Sequence, residues 1–206
     1  DIETRGDTLT CFGLSSDTRR GKAICIPIQT TTGPYWSVDD EASIWRELSL
    51  AMGENPYLRN QNIVYDLDYL LDHSCEPSGI DFDPMVGMNV AYPEFNKGLD
   101  FTTSIYTYYP YYKDEGKTWK KKVPDRKVWE YNCKDMVSTP KVSHGVLKDL
   151  SGDSLEEVCQ KRSIAMLPIA VEMQRNRLRL NRGWHQKLAG LLMEEKFKVH
   201  SQLTEL

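Results

Sequence analysis

The sequence predicts an α/β chain that closes on two long helices. Three observations carry that expectation. Two β-rich runs open the chain, Leu9–Leu14 and Ala23–Ile28, joined by a polar, turn-rich link at Ser15–Gly21. From Val38 onward, helical spacing alternates with short apolar runs. The last quarter is helical in pattern, from about Asp153 to Asn176 and from Arg182 to Leu203. No internal repeat or low-complexity segment breaks this order.

Pro27 suits the end or edge of the second strand. Val38–Met52 reads as an amphipathic helix, with Asp39, Asp40 and Glu41 in its first turn and Ile44, Trp45, Leu48 and Met52 on one face. Asn60–Tyr65 reads as a short buried strand. Asp66 closes it and opens a helix through Leu67, Leu70 and Leu71. Ser74–Gly79 is a loop, and Pro84–Val90 and Gly98–Tyr106 are short helices. The tyrosine-rich piece Tyr106–Tyr112 and the basic tract up to Lys127 form a long exposed loop, a common place for function. Arg126–Thr139 is a helix that Pro140 ends. Asp153 or Ser154 caps the next helix and Pro168 kinks it, while Trp184, Leu188, Leu191, Leu192 and Phe197 mark the last. Residues 1–150 are expected to form one domain and 151–206 a helical segment.

At 206 residues the chain can bury a sizeable core. Charged residues make up 27%, and no apolar run approaches the ~20 residues that span a bilayer. No signal-peptide pattern opens it. Five scattered cysteines without a C-x-x-C pair fit a reduced, cytoplasmic setting and argue against a structural zinc site. The net charge of -4 argues against nucleic-acid binding over the whole surface but leaves a local site open. Between Lys117 and Lys127 five lysines and Arg126 face only Asp125. Such a tract is either a solvated loop or a phosphate contact.

Four acidic positions stand out. Asp1 and Glu3, two apart, share one face of an extended strand. Asp66 sits where a strand meets a helix. Tyr131 and Asp135, four apart, share one helical face. Each has a plain alternative: surface acids for D-x-E, a helix N-cap for Asp66, a solvated polar face for the Tyr–Asp pair. Gathered together, the carboxylates would repel one another unless cations intervened. An all-oxygen donor set selects hard divalent ions such as magnesium or manganese. Two such ions, ~4 Å apart, can hold an attacking and a leaving oxygen around one phosphorus, the chemistry of phosphodiester hydrolysis.

Asp1-Ile2-Glu3-Thr4 resembles the first motif, D-x-E, of the proofreading 3'-5' exonucleases of the DEDD superfamily. Asn62-Ile63-Val64-Tyr65-Asp66 resembles the second, N-x-x-[FY]-D. Tyr131 to Asp135 resembles the third, Y-x-x-x-D, which marks the tyrosine subtype. Tyr92-Pro93-Glu94, Lys97-Gly98-Leu99 and Ser104-Ile105-Tyr106-Thr107 are similar to the stretch between the second and third motifs in phage-type family A DNA polymerases. Leu167-Pro168 and the run Met173 to Asn181 are similar to the passage from exonuclease domain to thumb, with Asn176 in place of the usual turn glycine.

The resemblance implies a ribonuclease H-like α/β fold, a mixed central sheet flanked by helices, with a C-terminal helical hairpin. It implies Asp1, Glu3, Asp66 and Asp135 as ligands of two Mg2+ or Mn2+ ions, with Tyr131 orienting the attacking water beside Glu3. Asn62, Lys97, Tyr112 and Lys113 become candidates for nucleic-acid contact. Tyrosines 106, 108, 109, 111 and 112 either stack on the bases of a frayed strand or fill the loop. The substrate is a single-stranded or frayed DNA 3' end, no membrane is involved, and a covalently continuous polymerase domain is expected. If phage-encoded, the protein works in the host cytoplasm. The family carries an apolar strand ahead of D-x-E, whereas this sequence starts at Asp1. The resemblance therefore implies a fragment that ends early in a thumb, with the Asp1 backbone weakly held. Two other readings stay open, a stand-alone 3'-5' exoribonuclease and a catalytically silent DNA-positioning domain. Comparing the degradation of single-stranded DNA and RNA separates the exoribonuclease from the DNA exonuclease.

Overall fold

A computed structural model describes residues 1–17, 21–55, 58–117, 123–152 and 154–204. It is mixed α/β. Strands β1 (Ile2–Arg5), β2 (Thr8–Asp17) and β3 (Lys22–Pro27) form an antiparallel sheet in the order β1-β2-β3. Gly6, at φ 62°, makes the tight turn between β1 and β2. A small ribbon, β4 (Gln29–Thr30) and β5 (Gly33–Pro34), leads to helix α1 (Val38–Glu54). Ser37 caps α1 by accepting from the Asp40 N–H at 3.2 Å.

Strand β6 (Leu58–Arg59) follows, then helix α2 (Ile63–Asp72). The expected strand Asn60–Tyr65 is thus shorter and earlier, and Tyr65 and Asp66 belong to the first turn of α2. Ile63, Leu67 and Leu70 are buried at helical spacing. What starts this helix is Asp83, a fully buried carboxylate directly after β7 (Ile80–Phe82). It accepts from the N–H groups of Asn62 (3.1 Å) and Ile63 (3.0 Å), and from Met85 (2.8 Å) at the start of α3 (Pro84–Ala91). One carboxylate caps two helices. β6 and β7 pair in parallel.

Helices α4 (Leu99–Tyr106) and α5 (Asp114–Lys117) precede α6 (Asp125–Gly152), the longest element of the first unit. Residues 118–122 of the basic tract, with three of its five lysines, lie outside the described residues. Pro140 was expected to end α6 but sits inside it. Val128, Met136, Val142, Val146 and Leu150 form one buried stripe on both sides of the proline. Hydroxyls of Ser138, Thr139 and Ser143 donate back to carbonyls one turn earlier. Continuous burial thus outweighs the ~3 kcal/mol that an interior proline costs.

After α6 come α7 (Glu156–Val158), a π-helical turn at Cys159–Ser163, a 3-10 turn at Ile164–Met166 and α8 (Leu167–Asn176). The run from Glu156 to Asn176 is thus helical throughout, as expected, and its regular α hydrogen bonding gives way to π and 3-10 turns just before Pro168, which lacks an N–H. Asp153, a proposed cap, is outside the described residues, and Ser154 takes φ 60°. Arg177 rather than Asn176 takes the left-handed conformation after α8.

The chain divides into two compact units, Asp1–Glu172 and Met173–Leu206, so the first runs beyond the expected boundary at 150. In the second, α9 (Arg182–Thr204) carries no buried residue. No helix among the described residues is long and apolar enough to cross a membrane.

In the first unit the three-stranded sheet has a helix on each face. Phe12 of β2 meets Trp45 of α1, ring centroids 5.1 Å apart. On the other face Gly13 abuts Asn132 and Met136 of α6. A second close approach packs α3 on α6. At Gly87 a Cβ would lie 2.4 Å from Phe82 Cζ and 2.8 Å from Val146 Cγ1, both fully buried. Alanine is the better helix former by ~1 kcal/mol, but overpacking costs ~1–3 kcal/mol. Gly87→Ala is expected to lower the urea unfolding midpoint, and a raised midpoint would show that this contact has slack.

Candidate metal centre

The register of β1 creates the site. Ile2 pairs with Phe12 and Glu3 with Cys11. Ile2 therefore faces the α1 side, while Asp1 and Glu3 face α6. Asp135, on α6, meets them there. One carboxylate oxygen from each of Asp1, Glu3 and Asp135 lies within 4.8 Å of the other two. This acidic triad could hold a metal ion.

Asp66 does not join that tight group but lines the same cavity of about 390 Å³, with Glu3, Asn62, Tyr65, Lys113 and Tyr131 among its walls. The Ile2 N–H donates to Asp66 Oδ1 at 2.6 Å. Strand β1 thus holds one acid by its backbone and presents two by its side chains. Asn62 opens α2 in a left-handed conformation (φ 57°), which an Asn side chain tolerates.

Asp135 is the most heavily supported acid. Tyr112 donates to its Oδ1 at 2.7 Å and Lys113 to its Oδ2 at 2.6 Å. Lys113 also donates to the Tyr131 hydroxyl at 3.0 Å, with its Nζ 4.8 Å from that ring's centroid. Lys113 therefore belongs to the interior of the site. Tyr112, read from sequence as a nucleic-acid contact, is buried and braces Asp135. Lys97 is not among the cavity's walls. Its ammonium binds the Pro93 carbonyl, and its own carbonyl accepts from the wall residue Gln61 at 2.8 Å. Of the other loop tyrosines, Tyr106 donates to Asp149 (2.6 Å) and Tyr109 lies under Lys141, whereas Tyr108 and Tyr111 are exposed.

Sequence reasoning missed Asn132 and Gln61. Both lie inside or beside the motifs quoted, at positions that the motif patterns leave variable. Asn132 is fully buried and donates to Asp1 Oδ2 at 2.9 Å. The Asp1 backbone is held as well: its carbonyl accepts from Gly13 N at 2.8 Å and from Asn132 Nδ2 at 3.1 Å. The expectation of a weakly held Asp1 is therefore not met.

The electrostatics match a site short of positive charge. Burial, then the Asp135 charge, pushes Glu3 up to about 8. Burial pushes Asp66 up to about 6 and raises Asp135 despite Lys113. Burial and Asp135 lift the Tyr131 phenol above the ordinary tyrosine range, so it stays protonated at neutral pH. Three clustered oxygen donors, two of them (Glu3 and Asp135) with raised proton affinity, fit a hard divalent cation. No family model, no curated protein and no solved structure matches this chain.

The Glu3 shift has a measurable sign. A carboxyl raised on folding favours the folded state below its unfolded value and loses that contribution as pH rises through its folded value. For Glu3 the window runs from 4.5 to about 8. In metal-free protein, Glu3→Gln is expected to raise the thermal midpoint relative to the parent at pH 8, with the gap closing towards pH 4.5. A gap constant across that range would show that Glu3 is not raised.

Proposed function

We propose that the chain is a metal-dependent 3'-5' exonuclease of ribonuclease H-like fold, acting on DNA 3' ends as the proofreading part of a phage-type family A DNA polymerase. The observation that carries this reading is the meeting of Asp1, Glu3 and Asp135 within 4.8 Å, in a cavity that Asp66 and Tyr131 also line. The element order is in keeping with it: an antiparallel β1-β2-β3 sheet, a helix, then β6 and β7, which pair in parallel as a sheet of their own with α2 between them, with D-x-E at the start of β1 and the Tyr–Asp pair on a long helix.

Asp1, Glu3 and Asp135, with Asp66 beside them, would hold two Mg2+ or Mn2+ ions. Bound there, the ions supply Lewis-acid activation of the attacking water and charge stabilisation at the phosphorus. The chain's own residues supply orientation. Lys113 fixes the Tyr131 phenol, which stays neutral and directs hydrogen bonding in the cavity. Tyr112 and Lys113 hold the Asp135 carboxylate to one orientation. Asn62, Gln61 and Tyr65 wall the cavity where a terminal nucleotide would lie, and the exposed rings of Tyr108 and Tyr111 are available to unpaired bases.

The test is Mg2+-dependent release of mononucleotides from the 3' end of single-stranded DNA, with RNA in parallel. Asp66→Ala and Asp135→Ala are each expected to lower the rate by on the order of 10³-fold or more, as loss of residues acting as a unit does. Tyr131→Phe is expected to lower it by ~10²-fold. Unchanged rates in the two aspartate variants would sink the catalytic assignment, and faster turnover of RNA than DNA would favour an exoribonuclease.

A further inference from the structure

We infer that Asn132, packed into the space left by Gly13, is the positioning residue that seats the Asp1 carboxylate in the metal centre. The inference rests on the reading of that centre given above. Asn132 follows Tyr131 on α6 and is fully buried between helix and sheet. Its Nδ2 makes two bonds to one residue, to Asp1 O at 3.1 Å and to Asp1 Oδ2 at 2.9 Å.

The other end of the amide shows what the side chain does not do. Its Oδ1 is buried with no hydrogen-bond partner among the described residues. A buried acceptor left so costs ~1–3 kcal/mol. An apolar side chain would avoid that cost, so the amide's contribution lies in what it donates. It donates to a single residue, and that residue is a member of the acidic triad.

Gly13 makes the arrangement possible. A Cβ there would lie 2.2 Å from Asn132 Oδ1 and 2.6 Å from Met136 Cγ. Gly13 is not among the glycines with positive φ, so space rather than backbone conformation keeps this position bare. Gly13 N also donates to the Asp1 carbonyl, at 2.8 Å. The Asp1 backbone is therefore gripped from the sheet and from the helix, and the second Asn132 bond fixes the carboxylate. Glu3 and Asp135, close by, repel that carboxylate. A donor on Oδ2 opposes its rotation away from them before any cation is present.

The experiment measures Mn2+ binding to the full chain by electron paramagnetic resonance of free Mn2+, with thermal unfolding recorded for each variant. Asn132→Ala, and Asn132→Val as a branched replacement no longer than the asparagine Cγ, are each expected to bind Mn2+ about tenfold or more weakly, the usual effect of losing a partner that orients a ligand. In an Asp1→Ala background the same substitutions are expected to cause no further loss, because Asn132 acts through Asp1. Unchanged affinity in a folded Asn132 variant, or losses that add to that of Asp1→Ala, overturns the inference. If the parent shows no Mn2+ binding that Asp135→Ala removes, the metal centre itself fails, and the seat with it.

Discussion

Repulsion between buried carboxylates is the constraint on which the centre of this molecule turns. Asp1, Glu3 and Asp135 lie within 4.8 Å of one another and Asp66 lines the same cavity. Buried like charges favour protonation or separation. The chain answers three of the four with a specific donor. Ile2 N–H serves Asp66, the Asn132 amide serves Asp1, and Tyr112 and Lys113 serve Asp135. For the Glu3 carboxylate no hydrogen bond from a described residue is seen, and burial with the Asp135 charge raises its proton affinity into the neutral range, to about 8.

That distribution explains why Lys113 lies inside the site rather than on a DNA-binding rim. A single ammonium reaches both Asp135 and Tyr131. It is the one Lys or Arg side chain among the cavity's described walls. An ion pair this enclosed is weak evidence for net stability, but it does fix geometry. Tyr131, Asp135 and Lys113 become one unit, with Tyr112 as its buttress.

What was legible in the sequence was whatever depends on local periodicity. The two-residue spacing of Asp1 and Glu3 puts both on one strand face, and the four-residue spacing of Tyr131 and Asp135 puts both on one helix face. Helix α1 announced itself by first-turn acids and apolar spacing, and α9 by apolar spacing alone. What failed depended on partners far along the chain. Asn60–Tyr65 carries strand-like residues, yet Asp83, twenty positions on, caps the amide groups that turn it into helix. Pro140 is a helix breaker by local rule, and only the buried stripe on both sides of it carries α6 through. Tyr112 and Lys113 sit in a loop that looks solvated until α6 brings Asp135 beneath them. Asn132 occupies a position the Y-x-x-x-D pattern leaves open, and its role exists only because Gly13 faces it across the sheet.

The site is finally a question of register. Because side chains alternate along a strand, a one-residue slip of β1 would carry Asp1 and Glu3 to the α1 side and bring Ile2 against α6. Two interactions of opposite character resist that slip. On one face Ile2 is buried beside Phe12, which meets Trp45, and a carboxylate in its place would enter an apolar layer. On the other, the Asp1 carboxylate accepts from Asn132, a bond that an isoleucine side chain could not replace. The bulge between Glu3 and Thr4 then absorbs the mismatch before the Gly6 turn, so the hairpin closes without disturbing the two acids. The hydrophobic core and the polar seat therefore specify the same register, and the placing of three carboxylates together follows from it.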